Sequence, residues 1–162
     1  MADVLITALL WFSIVACGLL AGLYFAFSAF VMTAFARIDV PAGVAAMKSI
    51  NRVIQRSLFM PLFAGSSLSS LALAVIGALY WGEAGACAAL AGGLIYFLGM
   101  FVVTMIFNVP RNNLLDASDP ATADGQALWA RFLREWTAWN HVRTLASTAA
   151  LILFVVALAE RA

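Results

Sequence analysis

The sequence predicts an all-α protein: a four-transmembrane-helix bundle with an additional interfacial amphipathic helix between helices 1 and 2. Three observations carry this. Hydrophobic residues make up 65% of the chain and charged residues 10%, with a mean hydropathy of +1.00; soluble domains sit near 45–50% apolar and about 25% charged. Long uncharged runs recur, and a membrane-crossing helix needs about 20 such residues. The basic residues fall almost wholly into two of the three connections between these runs. The 162 residues (1–162) form a single integral membrane domain.

Helix 1 is expected over about 4–35, because no charge interrupts the chain between Asp3 and Arg37. Gly18 and Gly22 make a GxxxG step that Ala26 continues, a flat face for close helix contact. Tyr24, Phe25, Phe27 and Phe30 follow. Their aromatic rings suit lipid or core packing, and equally the walls of a site for a flat ligand. An amphipathic helix over about 41–56 starts at Pro41, a residue suited to a first helical turn, and lies at the interface. Asn51 and Gln55 share a face of it, directed to the bundle mouth or to water.

Helix 2 covers about 57–81, with Pro61 near its start, where proline is tolerated. Its Gly65–Ser70 patch offers small residues and hydroxyls for helix contact. Helix 3, about 84–107, is joined to it by a short turn at Glu83 and carries Gly85, Gly92 and Gly99 at intervals of seven. Pro110 is expected to stop this helix, and Leu114–Gln126 reads as a loop. A helix over about 121–139 then leads into helix 4, about 140–159.

Arg37, Lys48, Arg52, Arg56, Arg111, Arg131, Arg134 and Arg143 lie in or beside the first and third connections, and only Arg161 lies elsewhere. The positive-inside rule therefore puts loops 1 and 3 in the cytoplasm and both termini outside. The expected location is the inner membrane of a bacterium. The start lacks a basic n-region, so the first apolar run is expected to be a retained helix. A net charge of +1 offers no basic surface to nucleic acid. Cys17 and Cys87 have no metal-binding spacing and read as small apolar residues.

One stretch places polar groups where the chain accommodates them least easily. Trp136-Thr-Ala-Trp139-Asn140-His141-Val-Arg143 precedes an uncharged run, Thr144 to Ala159, too short by itself to cross a membrane. Helix 4 must draw Asn140, His141 and Arg143 toward the hydrocarbon, and such residues mark functional sites by default. Trp136, Asn140, Arg143 and Ser147 fall on one helix face, and Trp139 is placed to stack on the Arg143 guanidinium. The Asn108–Asn113 end of helix 3 reaches the same depth. The functional reading is a pocket for a flat phenolic or quinone-like molecule. Arg143 and Asn140 would hold a developing oxyanion and His141 would act as general base. Interfacial anchoring accounts for the same residue types. No metal site is expected. Haem held axially by His141 is an open alternative, as is a homo-oligomer formed through the glycine-rich faces.

The sequence resembles the anthrone oxygenase-like family of four-helix membrane proteins. The resemblance rests on Gly18-x-x-x-Gly22 with Phe25-x-x-Ser28, on Met47-x-x-Ile50-Asn51, on Phe107-Asn108-Val109-Pro110-x-Asn112, and on Trp136-x-x-Trp139-Asn140-His141-x-Arg143. It implies oxidation of anthrones to anthraquinones by dioxygen, without an obvious organic cofactor. It implies His141 as base, with Arg143, Asn140 and Asn108 or Asn112 on the enolate oxygen. Asn51, Trp136, Trp139 and Phe25 complete the expected binding residues. A rival class is a non-enzymatic or redox membrane module that binds quinone, lipid or haem.

Overall fold

A computed structural model describes residues 2–161. Its elements are α1 (Ala2–Ala26), α2 (Met32–Phe35), α3 (Val40–Ile54), α4 (Phe59–Leu79), α5 (Ala86–Tyr96), α6 (Val109–Asp116) and α7 (Ala123–Glu160). No strand occurs among the described residues. Three stretches of π-helix, Phe27–Val31, Phe97–Val102 and Thr104–Asn108, link α1 to α2 and α5 to α6. Four helical runs are long and apolar enough to cross a membrane: Asp3–Phe35, Phe59–Leu79, Ala86–Asp116 and Ala123–Glu160. The molecule is an integral membrane protein with an all-helical, four-span fold.

The short helix α3 starts where Asp39 Oδ2 accepts a hydrogen bond from the Ala42 amide at 3.2 Å and Pro41 occupies the first turn. Gly43, Val44 and Met47 form its buried face. Gly43 lies so close to Trp129 that a Cβ would fall 2.8 Å from the indole ring. The Lys48 ammonium donates to the Ser118 carbonyl at 2.8 Å and ties α3 to the turn after α6.

Helix 3 differs from the expectation at its far end. It does not stop at Pro110 but continues through α6 to Asp116, so the irregular connection shrinks to a few residues before α7. A proline ring collides with the carbonyl four residues back in a regular helix. Here the widened turns Thr104–Asn108 come just before it, the kind of local adjustment that lets proline sit in a membrane helix. Arg111 Nη1 donates to the Phe107 carbonyl at 2.8 Å. Helix 4 and the helix expected before it are one unbroken element, α7, of 38 residues. At 1.5 Å per residue that is about 57 Å, well beyond a hydrocarbon core of about 30 Å.

The glycines spaced by sevens in helix 3 form the seat of α7. Gly85 abuts Ala157, Gly92 abuts Leu153 and Phe154, and Gly99 abuts Ala146. Gly18 of α1 faces Leu151 of the same helix. This glycine row is thus occupied by the chain's own fourth span.

Two apolar clusters result. One runs through the spans and includes Leu10, Leu20, Tyr24, Phe63, Leu73, Tyr96, Met100 and Phe154. The other, at the end carrying the basic residues, joins Met32, Val44, Met47, Leu115, Trp129, Phe132 and Trp136. At the opposite end the Arg161 guanidinium bonds Asp3 at 2.7 Å, and the Gly85 amide donates to Glu160 Oε2 at 3.0 Å.

Candidate functional site

A cavity of about 470 Å³ lies at the seam between the two clusters. Such a volume falls in the range of small-molecule sites. Tyr24 and Phe27 line it from the first span, Met47, Ile50 and Asn51 from α3, and Phe59 and Phe63 from α4. The third span adds Thr104, Asn108 and Asn112, and α7 adds Trp136 and Arg143. Two of the three π-helical stretches, Phe27–Val31 and Thr104–Asn108, contribute to the cavity lining. Such segments recur at functional sites because the extra residue per turn redirects side chains and frees backbone groups.

Arg143 is the centre of the wall. It is only 5% exposed, and its guanidinium carbon lies 4.4 Å from the centre of the Tyr24 ring and 5.0 Å from that of Trp136. Two aromatic faces therefore hold the cation. Its Nη2 donates to Asn140 Oδ1 at 2.6 Å. Asn140, fully buried, donates in turn to the Tyr24 carbonyl and to Ser28 Oγ, each at 2.7 Å. Asn140 thus locks α7 to α1 beside the widened turns and sets the guanidinium's orientation. No carboxylate pairs with Arg143 among the described residues; the ion pairs there are Arg111–Glu135 and Arg161–Asp3.

Buried polar atoms without a partner gather around the same space. They are Asn51 Nδ2, Asn108 Oδ1, Asn112 Oδ1, Trp136 Nε1 and Arg143 Nε, all on residues that line the cavity. Each such atom costs roughly 1–3 kcal/mol if nothing meets it, and native proteins carry few. Their convergence on one cavity suits a ligand with oxygen or hydroxyl groups. Asn108 Nδ2 is used internally, donating to the Trp136 carbonyl at 3.3 Å.

The predicted face Trp136, Asn140, Arg143 and Ser147 is buried throughout. Asn51, Asn108, Asn112, Trp136 and Arg143 do meet at one cavity. Four expected residues do not. Asn140, expected to hold an oxyanion, is absent from the lining, because its amide already donates to Tyr24 and Ser28 and its oxygen accepts from Arg143. His141 is exposed on the outer face of α7 and absent from the cavity lining. One residue past the inward Asn140 turns the side chain by about 100°. Haem held by His141 would accordingly sit outside this cavity. Phe25 is 59% exposed for the same reason, next to the inward Tyr24. Trp139 does not stack on Arg143: its indole lies flat against Phe107, with centroids 3.6 Å apart and planes at 7°. The Trp136 and Tyr24 rings hold the cation instead.

Tyr24 and Phe27, read as packing or wall aromatics, and Met47 of the Met47-x-x-Ile50-Asn51 motif line the site; Phe63 lines it too and was not expected there. Tyr24 had a readable signal: Ile6, Leu10, Ser13, Cys17, Leu20 and Tyr24 recur every three or four residues and are all buried.

The fold and site define a class: a four-span membrane protein with a ligand-sized cavity that presents an unpaired buried cation. The family model for anthrone oxygenase matches residues 49–153. The match covers almost two-thirds of the chain, and the protein belongs to the anthrone oxygenase family. It takes in Asn51, the asparagines after helix 3 and the Trp136–Arg143 block, while Gly18–Ser28 lies outside it. No curated protein and no solved structure matches the chain.

Proposed function

We propose that this protein oxidises a planar phenolic or anthrone-type aromatic with dioxygen, binding it as an anion against Arg143. The observation that carries this reading is the Arg143 guanidinium itself. It is buried beside a 470 Å³ cavity, pairs with no carboxylate among the described residues, and keeps Nε unbonded. An uncompensated buried cation is expensive, and an anionic ligand oxygen offsets that cost. The family match supports the chemistry.

Loss of a methylene proton from an anthrone leaves an anion whose charge rests on a phenolate oxygen. Arg143 holds that oxygen, with the Trp136 indole N–H and the Asn51 amide available as further donors, in a site walled by aromatic rings. Fixed donors in a low-dielectric site are worth far more than in water. The electron-rich ring carbon then reduces dioxygen, a C–O bond forms, and loss of water from the peroxide gives the second carbonyl. One dioxygen enters and one water leaves. The proton departs toward the polar rim, where Asp116 is the one carboxylate among the lining residues. The cavity end would face the cytoplasm, where the positive-inside rule puts the basic residues.

The test is oxygen uptake by the protein in lipid nanodiscs supplied with anthrone. Uptake in equal molar amount to quinone formed is expected, and Arg143→Met should slow it by roughly 10²–10³. Oxidation no faster than in empty nanodiscs would overturn the reading.

A further inference from the structure

The cavity has two kinds of rim. On one side Arg52, Gln55, Asn113 and Asp116 are exposed lining residues, a polar edge at the level of α3 and α6. On the other side the lining includes Met60 of α4, 40% exposed, and Met105 of the third span, 48% exposed. These two methionines belong to the lipid-facing surface. Met60 begins an outward row on α4 that continues through Leu68, Leu71 and Val75, and Met105 continues the outward row of Leu94 and Leu98. A residue that both faces outward and lines a cavity marks a place where that cavity is open sideways.

The helix packing explains the opening. α4 and α5 are pressed together backbone to backbone at one end, where a Cβ on Gly77 would meet the Ala86 carbonyl and one on Gly93 would meet the Ser70 carbonyl. Toward the other end bulky rings stand between them: the Phe63 and Phe101 centroids are 5.6 Å apart. α4 packs along α5, only lightly against Phe97–Val102, and not appreciably against Thr104–Asn108. The two spans therefore form a V that is shut at the glycines and open at the methionines. Met60 lies in the first turn of α4, soon after Arg56 and Ser57, which sets the opening at the boundary between hydrocarbon and headgroups. Amphipathic aromatic groups collect at that depth.

We infer that the cavity receives its ligand from the bilayer, through the gap between α4 and the third span flanked by Met60 and Met105. The ligand class is a planar amphipathic aromatic dissolved at the interface, its ring system entering first past the thioethers and its oxygen coming to rest at Arg143. Flexible, polarizable methionines suit a gate that must re-form around a flat solute. The inference rests on the proposed ligand class, so its test reads binding and not turnover.

The experiment follows association of a monohydroxyanthraquinone with the full-length protein in nanodiscs, by the probe's visible absorbance in stopped flow. Two variants are compared with the parent: Met60→Trp/Met105→Trp, which fills the lipid-side gap, and Asn113→Trp, which crowds the polar rim. Entry from lipid predicts that the double variant slows association and dissociation together by about tenfold, with affinity little changed, while Asn113→Trp leaves both rates close to the parent's. It also predicts that the observed rate rises with the probe's mole fraction in lipid when the aqueous concentration is held constant. Slowing by Asn113→Trp alone, or a rate set only by the aqueous concentration, would overturn the inference. If the probe enters by the lipid side yet anthrone is never oxidised, the portal stands and the oxygenase reading falls.

Discussion

The two ends of this bundle are built from opposite materials. At the end holding Asp3, Gly85 and Arg161, glycines bring helices into backbone contact and the polar groups are paired with one another. At the end holding Arg143, aromatic side chains and widened turns keep the helices apart, and polar atoms are left without partners. Membrane helices gain little from apolar contact, since lipid is as apolar as leucine. Close approach and hydrogen bonds therefore do most of the holding. The glycine end supplies the adhesion, and the aromatic end is free to enclose a space.

Filling the glycine end should have the largest effect on stability. Gly93→Val places a side chain against the Ser70 carbonyl and Ala74, and overpacking of that kind costs about 1–3 kcal/mol or more. Unfolding in mixed micelles should show the loss, although valine in place of an exposed helical glycine is ordinarily no penalty. Next comes Arg143→Met. Replacing a buried cation that has no carboxylate partner with an apolar side chain should leave stability unchanged or improved. It should nevertheless lower kcat/KM for an anthrone by roughly 10²–10³, the loss typical of one oxyanion donor. A smaller effect on binding is expected for Asn140→Asp, which keeps the side-chain size, loses the donor to the Tyr24 carbonyl and hands Arg143 an anion of its own. Affinity for an anionic ligand should fall by about tenfold, or 1.4 kcal/mol, in equilibrium titrations. The smallest belongs to His141→Ala. An exposed residue outside the cavity should change stability by no more than about 0.5 kcal/mol and leave the pH profile of turnover in place. Loss of activity there would restore His141 to the chemistry.

The contrast between the ends also shows what the sequence conveys. Composition and uncharged runs fix four spans, and the 3.6-residue period sets Trp136, Asn140, Arg143 and Ser147 on one buried face. Periodicity cannot separate neighbours as surely. Asn140 and His141 are equally plausible as letters for a polar site, and a rotation of about 100° decides which one faces inward. The π-helical stretches have no signature in the chain, because they arise when two packed helices must match registers. Pro110 misled for the same reason: a stop signal in a regular helix is tolerated beside widened turns. The contribution of α3 and α4 to the cavity, through Met47, Ile50 and Phe63, is tertiary and appears only when the spans are assembled.

Arg143 thus stands as a cation held ready for a ligand anion. A monohydroxyanthraquinone titrated into the protein in nanodiscs, below the phenol's own pKa, reports on this through its visible spectrum. The bound phenol should show the red-shifted absorbance of its anion, and Arg143→Met, still folded, should bind it more weakly and without the shift. Binding of the neutral phenol with equal affinity and an identical spectrum in both proteins would contradict it.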